Sequence, residues 1–456
     1  MTEINNTDET WSKSKKIGFI DSLKIVFKSR NYVVILLTNY TGSLFLAAWI
    51  YLNLFFRDVG ISYFELGLAD SWAMMLGLFA TMIGGYWADK HIPHRKYMAT
   101  FNKFFIGIAT LSIPFVTNFY GLLFVWTVFG FSQFCQSSID PILFESLPPE
   151  QMGTGTSLFT LGGIFSIFGL FFVGFLIQDS FVSGLNIFWF LASVSSFIDF
   201  FIRIFFLEKT YPSIDVSVTV KNSFTRDLIE QYILGFKVLL ATIPLFLIVF
   251  LLDVASDINY RFAQNFYLNE DVGMGYTAIN YTMIGASILG VIGGILAGRL
   301  LDRSENEAKV MFLVYFLLPF SVLVLFFSPT IPTWIDTSLF PGNEVWLVIS
   351  STAFVAVVIK SGNDAVWRTI AWGAVGRKLP REHTGKVMAI LAMIISLMGV
   401  IISPVVGFIY QTEGGRPLLI GVLVLNLLIL GLLLGHWLVK YFRKPTIQKT
   451  ISSIGK

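Results

Sequence analysis

The chain has 456 residues, of which 55% are hydrophobic and only 13% charged, and its mean hydropathy is +0.72. Soluble domains carry about 25% charged residues, and a water-soluble core cannot hide this much apolar surface, so the composition excludes a soluble globular protein. A net charge of +3 gives no reason to expect a nucleic-acid partner.

With ~20 residues per spanning helix, a chain of this length holds about a dozen crossings. The apolar runs are too long and continuous for the ~10-residue alternating strands of a barrel, so helices are expected. Residues 1–30 are polar and end in a basic stretch, with no short apolar segment and cleavage site, which predicts no removable signal peptide. Residues 20–27 are amphipathic and predicted to lie at the membrane surface. Spanning helices are then predicted at 32–56, 64–88, 98–117, 120–139, 155–177 and 184–207. The polar stretch 208–231, with Pro212, Ser213 and Lys221, reads as a linker, and 228–239 as a second surface segment. A second set of helices follows at 243–268, 276–301, 310–327, 345–367, 386–410 and 417–439. The predicted organisation is an N-terminal six-helix half (1–207), a cytoplasmic linker (208–231) and a C-terminal six-helix half with a cytoplasmic tail (232–456).

The two sets carry matching landmarks. Asp58-Val59-Gly60 with Tyr63 recurs as Asp271-Val272-Gly273 with Tyr276, 213 positions later. Lys24 and Lys237, Gly85 and Gly298, and Asp89 and Asp302 share that spacing. Leu147-Pro148 with Glu150 and Gly153 recurs as Leu379-Pro380 with Glu382 and Gly385, now 232 positions on, the growth absorbed by a longer connection at 328–344. A duplicated helical unit in a membrane is the sequence signature of many secondary transporters.

Of the 32 lysines and arginines, 28 fall on the side of the termini, Arg57 and Arg416 on the other, and Arg261 and Lys360 within the membrane. The positive-inside rule then predicts cytoplasmic termini for a multi-pass plasma-membrane protein in direct contact with the lipid bilayer. The single cysteine, Cys135, excludes an internal disulfide and reads as core filler. Four histidines without paired helical spacing indicate no metal site, and no cofactor is expected.

Gly85-Tyr86-Trp87-Ala88-Asp89-Lys90 followed by Arg95-Lys96 resembles the signature between helices 2 and 3 of the major facilitator superfamily, and Gly298-Arg299-Leu300-Leu301-Asp302-Arg303 resembles its second-half copy. The resemblance covers essentially the whole chain. It implies an all-α integral membrane fold of twelve transmembrane helices in two pseudo-symmetric six-helix bundles, and a monomer. The chain departs from the pattern in four places. Ile92, Pro93 and His94 separate Lys90 from the basic pair, and Ser304-Glu305-Asn306-Glu307 replaces that pair in the second copy. The fourth helix has Trp126-Thr127-Val128-Phe129-Gly130 without the arginine common in proton-coupled drug exporters, and the fifth lacks the Gly-Pro pair associated with antiporters. By the resemblance, Gly85, Asp89, Arg95, Lys96, Gly298, Asp302 and Arg303 form a gate. Gly85 would let helix 2 approach a neighbour, and Asp89 would latch onto the start of helix 11 near Thr384 and Gly385. A topogenic basic loop with a capping aspartate accounts for the same residues without a gate.

Ionisable side chains within the membrane point to a solute or ion path, because each costs ~2.5–3.5 kcal/mol even on lenient insertion scales. The seventh helix carries Asp253, Asp257 and Arg261 on one face with Gln264 nearby, and the tenth carries Lys360, Asp364 and Arg368 at the same spacing. Counting rise from the predicted helix starts places Asp253 and Lys360 at similar depth, so a contact between them is expected, leaving Asp257 as the candidate proton carrier; an interhelix ion pair that only sets the gate is the alternative role of Asp253 and Lys360. The resemblance puts helices 1, 4, 7 and 10 around a central cavity. Asn39, Tyr40 and Ser43 on the first, and Gln133, Gln136 and Asp140 on the fourth, join the candidates, with interhelix glue as their alternative role. Arg368 reads as an interfacial anchor, Asp199 and Arg203 as a structural pair, and Trp49, Trp126 and Trp367 as belt or packing residues, with stacking on a ring of the solute as their alternative role. The expected function is secondary active transport of a small polar or charged organic solute by alternating access, with protons as candidate coupling ion. Multidrug efflux by proton antiport, and a lipid translocator or solute-sensing receptor on the same fold, are the alternatives. An enzyme such as a membrane prenyl transferase would need a second acidic cluster that the chain lacks.

Overall fold

The computed structural model describes residues 19–147, 158–159, 162–209, 233, 236–237, 239–240, 244–303, 307–335, 342–378 and 384–454. Most of the predicted linker therefore lies outside the described residues. A short helix α1 (Phe19–Lys28) precedes α2, which runs Arg30–Asp58 through a 3-10 stretch at Ala47–Tyr51. Then come α3 (Tyr63–Lys90), α4 (Arg95–Ser112), α5 (Phe119–Gln136), α6 (Ile139–Glu145), α7 (Gly162–Leu176) and α8 (Phe181–Phe206). The second half holds α9 (Pro244–Phe266), α10 (Tyr276–Arg303), α11 (Glu307–Tyr315), α12 (Leu317–Phe327), α13 (Glu344–Ile349), α14 (Thr352–Lys378), α15 (Thr384–Glu413) and α16 (Gly415–Ile454). Each of the twelve predicted segments coincides with a helix or a consecutive pair. Nine described helices are long and apolar enough to span a membrane. Helices α9 and α14 fall short of that apolarity because they carry the charged stripes.

Local chemistry explains the boundaries. Ser62 caps α3 in a capping box with Glu65, and Asn118 and Ser180 cap α5 and α8. Gly60 and Gly273 adopt φ of +98° and +77°, the left-handed conformation that ends a helix without Cβ strain. The tenth predicted helix breaks at Ser350-Ser351, between α13 and α14, where the Trp334 amide donates to the Ser350 carbonyl at 3.0 Å.

The bundles meet mainly through α3 against α15 and α7 against α10. Gly67 and Gly407 face one another, and a Cβ on Gly67 would overlap the Ser403 carbonyl. Pro404 lies inside α15 and cannot donate to the carbonyl of Val400 one turn back; the Ser71 hydroxyl of α3 donates to that oxygen instead, at 2.8 Å. Among the described residues, every hydrogen bond between the bundles lies in the half of the helices away from the chain termini.

Candidate functional site

Helices α9 and α14 bring the charged stripes together around a tight polar pocket of about 10 Å³, room for about one water, lined also by Leu318 of α12 and Asn426 of α16. Its polar wall is Asp253, Asp257, Lys360, Asp364 and Arg368. Asp253 has only neutral donors: Tyr315 hydroxyl lies 3.1 Å from Oδ1, and Trp367 Nε1 donates to Oδ2 at 3.0 Å. The Tyr315 hydroxyl also lies 2.9 Å from Asn426 Oδ1, which accepts from Ser256 at 2.8 Å. Asp257 Oδ2 accepts from Arg261 Nε at 2.9 Å and from Arg368 Nη2 at 3.0 Å. Lys360 pairs with Asp364 one turn along its own helix, and its ammonium sits 4.0 Å from the centre of the Tyr260 ring.

The expected contact between Asp253 and Lys360 does not form. Helix α14 starts at Thr352 rather than 345, so Lys360 lies seven residues, or ~10 Å, closer to the helix start than the sequence count placed it. It stands level with Tyr260, and Trp367 takes the place beside Asp253. The proton role reserved for Asp257 loses its premise, since Asp257 is matched by two guanidinium groups and Asp253 by none. Arg368 pairs with Asp257, and Trp367 donates to Asp253.

The remaining candidates are dispersed. Tyr40 donates to the Leu158 carbonyl at 2.6 Å and stacks on Phe165, while Asn39 and Ser43 lie against Gly162, so this face of α2 packs on α7. Gln133 is half-buried and Gln136 exposed, neither bonded to another described residue, and the Asp140 side chain lies outside the described ones. Trp49 packs against Trp126, Phe129 and Trp189 inside the first bundle. Asp199 does not pair with Arg203. Its carboxylate accepts from Lys103 at 2.8 Å and from Thr41, while Arg203 donates to Thr38 Oγ1 at 2.9 Å and to the Ala99 carbonyl at 2.6 Å.

At the gate motif, Gly85 is not the close-approach glycine: a Cβ there would meet nothing, whereas one on Gly84 would overlap the Phe134 carbonyl of α5. Arg95 is buried, donates to the Ala88 carbonyl at 2.8 Å and pairs with Glu145 of α6, tying the end of α3 to α6 within the first bundle. Lys96 is half-buried. The side chains of Asp89, Asp302, Arg303 and Thr384 lie outside the described ones, as does the environment of Gly298.

Sequence reading missed Tyr315 and Asn426, which carry no charge, and Asp70 of α3. Asp70 is half-buried beside Asn53 and forms no ion pair with a described residue. A lone carboxyl in an apolar run was the available signal.

The architecture and pocket define a polytopic membrane transporter. A family model described as Major Facilitator Superfamily matches residues 32–403, and the chain belongs to that family. Among solved structures, a point mutant of the nucleoside transporter NupG superposes with a TM-score of 0.68 at 12% identity, covering 89% of this chain and 99% of that one. Unmutated NupG gives 0.64 at 13% identity over 90% and 99%. The human organic anion transporter MFSD10 (TETRAN) gives 0.58 at 14% identity over 90% and 99%. At these identities the likeness establishes the fold alone. No curated protein matches the chain in sequence.

Proposed function

We propose that the protein is a secondary transporter, and not an enzyme, that moves a small polar or charged organic solute across the plasma membrane by alternating access between halves 1–207 and 232–456. The sidedness of lysine and arginine supports cytoplasmic termini. The observation that carries the reading is Asp253, an intramembrane carboxyl on a polar pocket with only neutral donors. Such a group calls for a proton or a cationic part of the solute. Tyr315 has one proton and two acceptors within reach. A protonated Asp253 completes the chain by donating to Tyr315 while Tyr315 donates to Asn426. Binding of a cationic group or loss of the proton breaks that chain, which is how the site would couple proton and solute.

Thermal unfolding of the purified protein against a solute library, at two pH values, tests this. A ligand at a hundredfold excess over Kd adds about 2.7 kcal/mol of stability. A solute that stabilises wild type and not Asp253→Asn supports the pocket; equal stabilisation of both removes Asp253 from it. Solute-stimulated flux across a sealed bilayer separates a transporter from a sensing receptor.

A further inference from the structure

The duplicated Asp-Val-Gly-x-x-Tyr segments have no part in the pocket, yet they face one another across the bundle interface. Each glycine turns the chain at positive φ, and each tyrosine is the first residue of the next helix, Tyr63 of α3 and Tyr276 of α10. The common geometry aims both tyrosines at the opposite bundle. Tyr276 donates to Asp58 Oδ2 at 2.6 Å and stacks on Phe181 of the first bundle, with ring centroids 3.8 Å apart and planes 13° from parallel. Tyr63 donates to Glu270 and packs its ring between Phe266 and Tyr410 of the second bundle, at 4.9 and 4.6 Å. The Arg57 guanidinium covers the Tyr63 ring at 4.7 Å.

The repeat is imperfect at one point. Asp271, the sequence counterpart of Asp58, lies beside Arg416, and its neighbour Glu270 accepts the Tyr63 proton. Burial pushes the Asp271 carboxyl up from its ordinary value, with Arg416 opposing. Beneath the two tyrosines a second layer crosses the interface. Tyr51 donates to Asn280 Oδ1 at 2.6 Å, Asn280 Nδ2 to the Leu170 carbonyl at 3.2 Å, and Asn265 Nδ2 to the Ile50 carbonyl at 2.6 Å.

We propose that the repeated segment is a reciprocal latch: each bundle inserts a tyrosine into the other and receives one, and the two bonds together hold the end away from the termini closed. Duplication of one turn supplies both arms, so the interface is isologous within a single chain. The exposed carboxylates allow water to replace the tyrosine hydroxyls, which lets the latch release without stranding a buried carboxylate. This inference rests on the alternating-access reading.

Spin labels at exposed Tyr120 and Ile331, which sit at the latched end of opposite bundles, test it in a Cys135→Ser background. Their distance distribution is measured by pulsed electron resonance in detergent and in vesicles. Tyr63→Phe and Tyr276→Phe keep the packed rings and remove only the hydroxyls. Each is expected to raise the population of long distances roughly two- to tenfold, as loss of one hydrogen bond implies. Tyr276→Phe is expected to add nothing once Asp58→Ala is present. Unchanged distributions in both phenylalanine variants would overturn the latch, as would an undiminished Tyr276→Phe effect in the Asp58→Ala background. Unchanged distances with solute flux intact would sink the latch alone; unchanged distances without flux in wild type would count against alternating access as well.

Discussion

Gly84 and Gly85 are neighbours in the same motif and have opposite surroundings. A methyl group on Gly84 must displace the backbone carbonyl of Phe134, while one on Gly85 enters open space. Gly84→Ala is therefore expected to destabilise by about 1–3 kcal/mol, the usual cost of overpacking, and Gly85→Ala by less than about 0.5 kcal/mol, both read from thermal unfolding in detergent. The motif pointed to Gly85 because sequence gives helical spacing but not rotation about the helix axis, which packing sets. Asp253 teaches the same lesson. Its place within the membrane was legible from the cost of burying charge, but its partners came from other helices whose register hydropathy does not encode. Tyr315 and Asn426 were invisible for a further reason: neutral polar residues in membrane helices serve too many packing roles to stand out.

Helices were the most legible elements, because an uninterrupted apolar run of ~20 residues matches the thickness of a bilayer and is rare in chains that fold in water. The exception was the tenth, where Ser350-Ser351 break the backbone without interrupting the hydropathy, and the resulting error of seven residues misplaced Lys360. Between elements, α2, α4 and α8 are joined by a buried charge cluster that the sequence resolved only in part. Asp199 and Arg203 were visible as an i, i+4 pair on α8, but Lys103 counted only among the 28 basic residues on the side of the termini, although it lies buried on α4 with its ammonium donating to the Thr38 carbonyl at 2.6 Å. Asp199 is the carboxylate partner of the buried Lys103 ammonium, and Asp199→Ala leaves that charge without one. It is expected to cost about 3–5 kcal/mol, the loss seen when one partner of a buried pair is removed. Unfolding midpoints that match wild type would show the cluster to be dispensable.

For the whole molecule, two bundles are joined at the end away from the termini by paired tyrosines and glycine-lined helix contacts, and the polar pocket lies within the second bundle. That arrangement suits a transporter in which one end stays closed while the pocket communicates with the other, the interchange requiring the latch to open. Family and fold were legible because a signature and a duplication recur along the full chain. Solute identity was not, because it depends on pocket shape, which arises from side chains on four separate helices. Uptake into proteoliposomes of a stabilising solute, with and without an imposed pH gradient, in wild type and Asp253→Asn, tests whether Asp253 couples a proton to the solute. The gradient is expected to accelerate or retard wild-type flux and to leave the Asp253→Asn flux, measured as solute exchange, insensitive to it. Gradient-driven accumulation of equal size in both proteins would contradict that coupling.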